Sequence, residues 1–197
     1  MKILGFAGSL RAESYNRALL EAARELAPEG MDVEVWDGLG ELPFYNADLD
    51  NDEMRPPPVR DFKRRVAEAD ALLIATPEYN YSIPGVLKNA IDWASRPGYR
   101  SVLVGKPVGI IGASGGAIGT ARGQAHLREV LFSNLAQVFP HPGVGVSSSA
   151  SKFREGRLAD ETTRAFVADY LRAFARFVEA REVRPYAPPP PPPKPAG

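Results

Sequence analysis

The sequence predicts an α/β protein, a doubly wound parallel sheet with helices on both faces. Short apolar runs of buried-strand length recur along the chain, helical patterns fill the gaps between them, and no internal repeat suggests a solenoid. The strands are expected at Lys2–Ala7, Asp32–Trp36, Ala71–Ala75 and Val108–Ala113, with a weaker fifth near Gly143–Val146.

The helices are expected at roughly Tyr15–Ala27, Val59–Ala69, Gly85–Ala94, Ala117–Leu135 and Asp160–Arg181. In the first, Leu19, Ala22, Ala23 and Leu26 repeat at helical spacing. In the third, Pro84 is placed to open the helix. Val86, Leu87, Ala90, Ile91 and Ala94 trace its apolar face, leaving Lys88, Asn89 and Asp92 off it. Trp93 is expected in the core or at an interface. The stretch Gly38–Pro58 is long for a connection, carries acidic residues and ends in three consecutive prolines. The domain is expected to span residues 1–184. Residues 185–197, with six prolines at Pro188–Pro193, are expected to form an extended, solvated tail; a ligand for an SH3-like or WW-like groove is the alternative.

Composition excludes several classes. The 197 residues fit one domain with a substantial core. Lys+Arg and Asp+Glu both number 24, so no basic excess marks a nucleic-acid footprint. The absence of Cys removes disulfides, iron–sulfur clusters, thiolate zinc sites and a cysteine nucleophile. No apolar run approaches the roughly 20 residues of a membrane helix, and the chain enters a strand at once without a signal-peptide pattern. A cytoplasmic protein is expected.

In a doubly wound sheet, ligands lie beyond the carboxyl ends of the strands. The loops after the first, third and fourth predicted strands therefore converge, and each is unusual. The first, Gly8 to Asn16, breaks from a strand into a turn rich in Gly and Ser, then opens a helix. Such a turn aims backbone amides and the positive helix end at one point, which favours a phosphate. Ser9, Ser14 and Asn16 add hydrogen-bond donors, and Arg11 a charge-assisted one. Two standard phosphate motifs fail here: no Lys follows the turn, as a P-loop requires, and Gly5 and Gly8 miss the dinucleotide spacing. Asp37, where a ribose-binding acid would stand, is accordingly expected to be a solvated loop residue.

The second loop runs from Thr76 to Gly85. Pro77 and Pro84 stiffen it, while Tyr79, Asn80, Tyr81 and Ser82 crowd its middle. The third, Ala113 to Gly119, contains Ser114, Gly115 and Gly116, small enough to let a backbone approach something flat. Each loop alone also fits an ordinary capped turn; three together on one sheet edge point to a ligand. No acid/base dyad stands out, and no catalytic side chain is assigned. His126 and His141 lack acidic companions at metal-ligand spacing.

These residues carry a resemblance. The segments GSLRAESYNRAL, PEYNYSIPGVLKNAIDW and GASGGAIGTARGQAHLREVL, in that order, resemble NAD(P)H-dependent FMN reductases of the flavodoxin-like superfamily, in the branch with quinone and chromate reductases. The likeness covers roughly residues 1 to 180. It implies a five-stranded sheet in order 2-1-3-4-5 with FMN at its carboxyl edge and NADPH or NADH as reductant. Quinones, flavins, azo compounds or metal oxyanions such as chromate are the implied oxidants. Carried over, Ser9, Arg11, Ser14 and Asn16 would hold the FMN phosphate. Pro77, Glu78, Tyr79, Asn80 and Ser82 would flank the ring, chiefly through backbone amides, with Ser114, Gly115 and Gly116 on its pyrimidine side. A homodimer or homotetramer is implied, with no nucleic acid or membrane partner. A one-electron carrier of flavodoxin type and a non-catalytic FMN-binding protein are the alternatives; zero net charge speaks against the acidic carrier.

Overall fold

The computed structural model describes residues 1–180, so Arg181, residues 182–184 and the expected tail 185–197 lie outside the described residues. β1 (Lys2–Ala7), β2 (Asp32–Trp36), β3 (Ala71–Ala75) and β4 (Pro107–Ala113) form a parallel sheet in order β2-β1-β3-β4, with β5 (Gln137–Val138) and β6 (Val144–Val146) beside β4. Phe6 pairs with Trp36 on one side and Ile74 on the other, and Ile74 pairs with Ile110. The expected order 2-1-3-4-5 is observed. Its fifth place is shared by two short segments: Gln137 and Val138 pair with Pro107 and Val108, and Val144–Val146 pair with Ile111–Ala113.

The division has a chemical cause. Between the segments stand Pro140 and Pro142, which have no N–H to give to a ladder. The N–H of Ile110, beside the gap, donates instead to the Tyr170 hydroxyl at 2.8 Å, from helix α6 (Glu161–Glu179) across the sheet. Arg128 closes the gap from its other end, donating to the carbonyl of Pro142 at 3.0 Å.

Alternating strand residues feed two cores. Ile3, Leu73 and Ile111 pack with Leu19 and Leu20 of α1 (Tyr15–Glu25) and with Leu171 and Phe174 of α6. Leu4, Phe6, Leu72 and Ile74 pack on the opposite face with Val59 and Phe62 of α2 (Pro57–Glu68), Leu87 and Trp93 of α3 (Gly85–Ala94), and Leu127 of α4 (Ala121–Ser133). α4 starts four positions later than expected because Gly119 takes φ +68°, which cannot continue a right-handed helix. Two pieces were too short to show periodicity in the sequence. They are α5 (Ser149–Lys152) and a hairpin of β7 (Phe153–Arg154) and β8 (Arg157–Leu158), which Arg157 ties to Glu25 of α1 at 2.8 Å.

The stretch Gly38–Pro58 is a strap. It holds two 3-10 turns, Gly38–Glu41 and Ala47–Leu49, and buries Leu39 and Leu42. The Pro43 carbonyl accepts from Trp93 Nε1 at 2.8 Å and Asn89 Nδ2 at 3.0 Å, while Asn89 Oδ1 accepts from the Tyr45 amide at 2.8 Å. Asn89 is therefore buried although it stands off the apolar stripe: it satisfies the strap's backbone.

Candidate functional site

The parallel register brings the three loops side by side. Gly8 N donates to Ala75 O and Thr76 N to Ile111 O, each at 2.9 Å, so each loop leaves the sheet next to its neighbour.

In the first loop Ser14 is the N-cap of α1. It is extended and buried, and its Oγ accepts from the Arg17 amide at 3.4 Å. Ser9 Oγ accepts from the Arg11 amide at 3.4 Å. Among the described residues, the amides of Ser9, Leu10, Tyr15 and Asn16 have no acceptor; the last two lie in the first turn, where a helix leaves its donors free. The exposed Arg11 guanidinium lies 5.4 Å from the Tyr15 ring centre. Arg17, absent from the expected site, joins Arg11 at a cavity of about 260 Å³ lined also by Ser9, Leu10 and Trp36. It pairs with Asp37 at 2.9 Å, both side chains remaining largely exposed.

Asn16 is employed differently from the phosphate contact that the resemblance implies. Its Nδ2 donates to Ala113 O and its Oδ1 accepts from Ala113 N, both at 2.9 Å. The second helical position faces β4 where α1 crosses the sheet, so this side chain serves the end of β4 and leaves only its backbone amide to the loop.

The second loop contains a tight turn. Tyr79 N donates to Ser82 O at 2.9 Å and Ser82 N to Tyr79 O at 3.0 Å, with Asn80 at φ 50° and Tyr81 at φ 68°. Two left-handed residues in succession make a hairpin-type turn that suits Asn but strains Tyr. The Tyr79 and Tyr81 rings stand exposed beyond the sheet edge rather than covering it. The side chains of Glu78 and Ser82 turn to α4. Glu78 Oε2 accepts from the amides of Arg122 at 2.9 Å and Gly123 at 3.0 Å, and Ser82 Oγ lies 3.1 Å from His126 Nδ1. Arg122 completes the contact, 3.6 Å from Glu78 and 4.1 Å from the Tyr81 ring centre. The amides of Glu78 and Asn80 have no acceptor among the described residues.

In the third loop Ser149 braces Ser114, donating from Oγ to its carbonyl at 2.9 Å. Ser114 Oγ accepts from Gly116 N at 3.1 Å. A side chain at Gly115 would meet nothing within 4 Å, and one at Gly116 only Ser114 Oγ at 3.7 Å. Gly112 differs: a Cβ there would strike Thr120 and lie 2.6 Å from Thr76 O, so it is small for packing.

The edge thus combines an arginine and free amides at a helix start, free amides on a stiff aromatic loop, and glycines facing open space. That set fits an anionic group joined to a flat heteroaromatic ring, which is what FMN presents.

Comparison with known proteins agrees. A family model described as NADPH-dependent FMN reductase matches residues 1–151. An NAD(P)H-dependent FMN reductase of Pseudomonas aeruginosa is 47% identical over 179 residues, covering 90% of this chain and 95% of that protein. A 2-hydroxy-1,4-benzoquinone reductase of a Burkholderia species is 44% identical over 184 residues, covering 93% and 99%. Among solved structures, the flavoenzyme FerB of Paracoccus denitrificans, an NAD(P)H:(acceptor) oxidoreductase, matches with a TM-score of 0.82 at 36% identity, over 90% of this chain and 97% of its own. Family model, relatives and sheet-edge geometry lead to one conclusion: the chain belongs to the NADPH-dependent FMN reductase family.

Proposed function

We propose that this protein is an FMN-dependent oxidoreductase that takes electrons from NADPH or NADH and passes them to quinones. Flavins, azo compounds and metal oxyanions such as chromate are further oxidants. The observation that carries this reading is the meeting of free amides, Arg11 and the open Gly115 on one sheet edge. The names of the benzoquinone reductase and of FerB support the reaction type. The chemistry that bound FMN supplies is hydride acceptance from a nicotinamide and onward transfer to an oxidant.

The chain's own residues bind and orient. Arg11, Ser9, Ser14 and the amides of Tyr15 and Asn16 hold the phosphate. Pro77, Glu78, Tyr79, Asn80 and Ser82 border the ring through their backbone, opposite Ser114, Gly115 and Gly116. The exposed Leu10, Tyr79, Tyr81 and Ile118 stand around the opening and favour a homodimer or homotetramer in which another copy covers them. Cytoplasmic action follows from the need for NAD(P)H. Among the described residues no helix is long and apolar enough to cross a membrane.

The test is FMN titration of the purified chain, then steady-state oxidation of NADPH and NADH with a panel of quinones. Saturable FMN uptake and quinone-dependent oxidation of either nucleotide are expected. Failure to bind FMN overturns the reading. FMN binding without NAD(P)H consumption assigns the chain to the non-catalytic alternative.

A further inference from the structure

We propose that Glu78 is a positioning residue for the flavin, acting by clamping its own loop to the start of α4. The proposal rests on the placement of FMN given above. Thr120, the N-cap of α4, makes no side-chain capping bond. Glu78, 42 residues earlier in the chain, takes over: one carboxylate oxygen accepts from both Arg122 N and Gly123 N. A carboxylate on a helix N-terminus is charge-assisted twice, by the ionised acceptor and by the helix dipole. The side chain is 13% exposed, so the bonds compete little with water.

The clamp is close. Gly123 lets the Pro77 and Ser82 carbonyls come to 3.3 Å from where its Cβ would stand. Arg122 reaches back over the Tyr81 ring, on the far side of the strained turn. Two successive left-handed residues do not hold a loop of this composition in place alone; the link to α4 does. It fixes the loop that carries the free amides of Glu78 and Asn80, the groups the proposed placement of FMN assigns to the ring. The same geometry commits one carboxylate oxygen to α4.

The test compares variants by flavin titration, using FMN and riboflavin. Glu78→Ala is expected to raise the dissociation constant tenfold or more, by the same factor for both, since the loop addresses the ring and not the phosphate. Glu78→Gln, which keeps an acceptor oxygen but loses the charge, is expected to bind more weakly than wild type and more tightly than Glu78→Ala. Glu78→Asp, charged but too short to reach both amides, is expected to weaken binding threefold or more, and it serves if Glu78→Ala does not fold. Asp160→Ala removes the cap of α6 on the other face of the sheet and is expected to leave affinity within twofold. Wild-type binding with unchanged affinity in Glu78→Ala and Glu78→Asp overturns this proposal alone. So does a loss in Asp160→Ala equal to that in Glu78→Ala, or a Glu78→Gln variant as weak as Glu78→Ala. A wild-type chain that takes up no flavin overturns the parent reading and this one together.

Discussion

The side-chain amide of Asn16 pairs in both directions with the backbone of Ala113, donating to its carbonyl and accepting from its amide at 2.9 Å. It joins the first loop to the third, the proposed phosphate and ring sides of the edge, since Asn16 opens α1 and Ala113 ends β4. Asn16→Leu leaves two buried backbone groups without partners, at about 1–3 kcal/mol each. A loss of about 3 kcal/mol is expected, a fall in melting temperature of about 9 °C for a chain of this size. Thermal unfolding of the apoprotein checks it; an unchanged midpoint would remove Asn16 from the framework.

Arg11 is exposed and forms no ion pair among the described residues, so its charge is available to a ligand. Arg11→Ala is expected to weaken FMN binding roughly tenfold to a hundredfold, the range of one charge-assisted hydrogen bond. Riboflavin, lacking the phosphate, is the control: its affinity is expected to stay the same. Equal losses for both flavins would place Arg11 away from the phosphate.

Gly115 and Gly112 separate binding from folding. Gly115→Val adds a side chain where the chain has nothing within 4 Å, so the apoprotein's melting temperature is expected to move by less than about 2 °C. The same valine occupies the proposed ring site, and FMN affinity is expected to fall at least tenfold. Gly112→Ala is expected to lower stability through its clash with Thr120 and Thr76. Retained FMN affinity in Gly115→Val would move the ring elsewhere.

Tyr170 substitutes for a missing strand residue. Burial pushes its hydroxyl pKa well above the usual tyrosine value, while the bond from Ile110 N pulls the other way. Tyr170→Phe strips the partner from a buried amide and is expected to cost about 2 kcal/mol, lowering the melting temperature by about 6 °C with FMN affinity unchanged. Hydrogen exchange at Ile110 reads the same event locally, and protection equal to wild type would contradict the assignment.

Acid sensitivity follows from the ion pairs on the outer helices and the β7–β8 hairpin. The Glu25 carboxyl is held below the usual glutamate range, first by its hydrogen bond from Arg157 and further by Arg164. Arg65 and Arg64 lower Asp61 in the same way. A depressed folded-state pKa contributes stability above the unfolded value, about 4.3 for Glu, and loses it as pH falls through the folded value. The melting temperature is expected to be level from pH 7 to about 5 and to decline below about 4. Glu25→Gln is expected to have a shallower acid limb. An identical limb in wild type and variant would show that the Arg157 contact contributes nothing.

The strand–helix alternation, its order along the chain and the three loops that meet at one sheet edge were legible because apolar period and turn chemistry are local. Ile3 to Phe6 alternate between two cores, and Gly8 and Ser14 mark a turn and a cap whatever surrounds them. The employment of individual polar side chains was not legible. Asn16 and Glu78 sit in ligand-like loops, yet one binds β4 and the other caps α4, with partners 97 and 44 residues away. No periodicity encodes such pairings; they arise when the sheet has closed and buried backbone groups must find acceptors and donors. The split edge strand and the strap on Asn89 and Trp93 have the same origin. Local patterning thus specified the scaffold and which loops meet at one sheet edge, while long-range satisfaction of hydrogen bonds chose which atoms there remain free for a ligand.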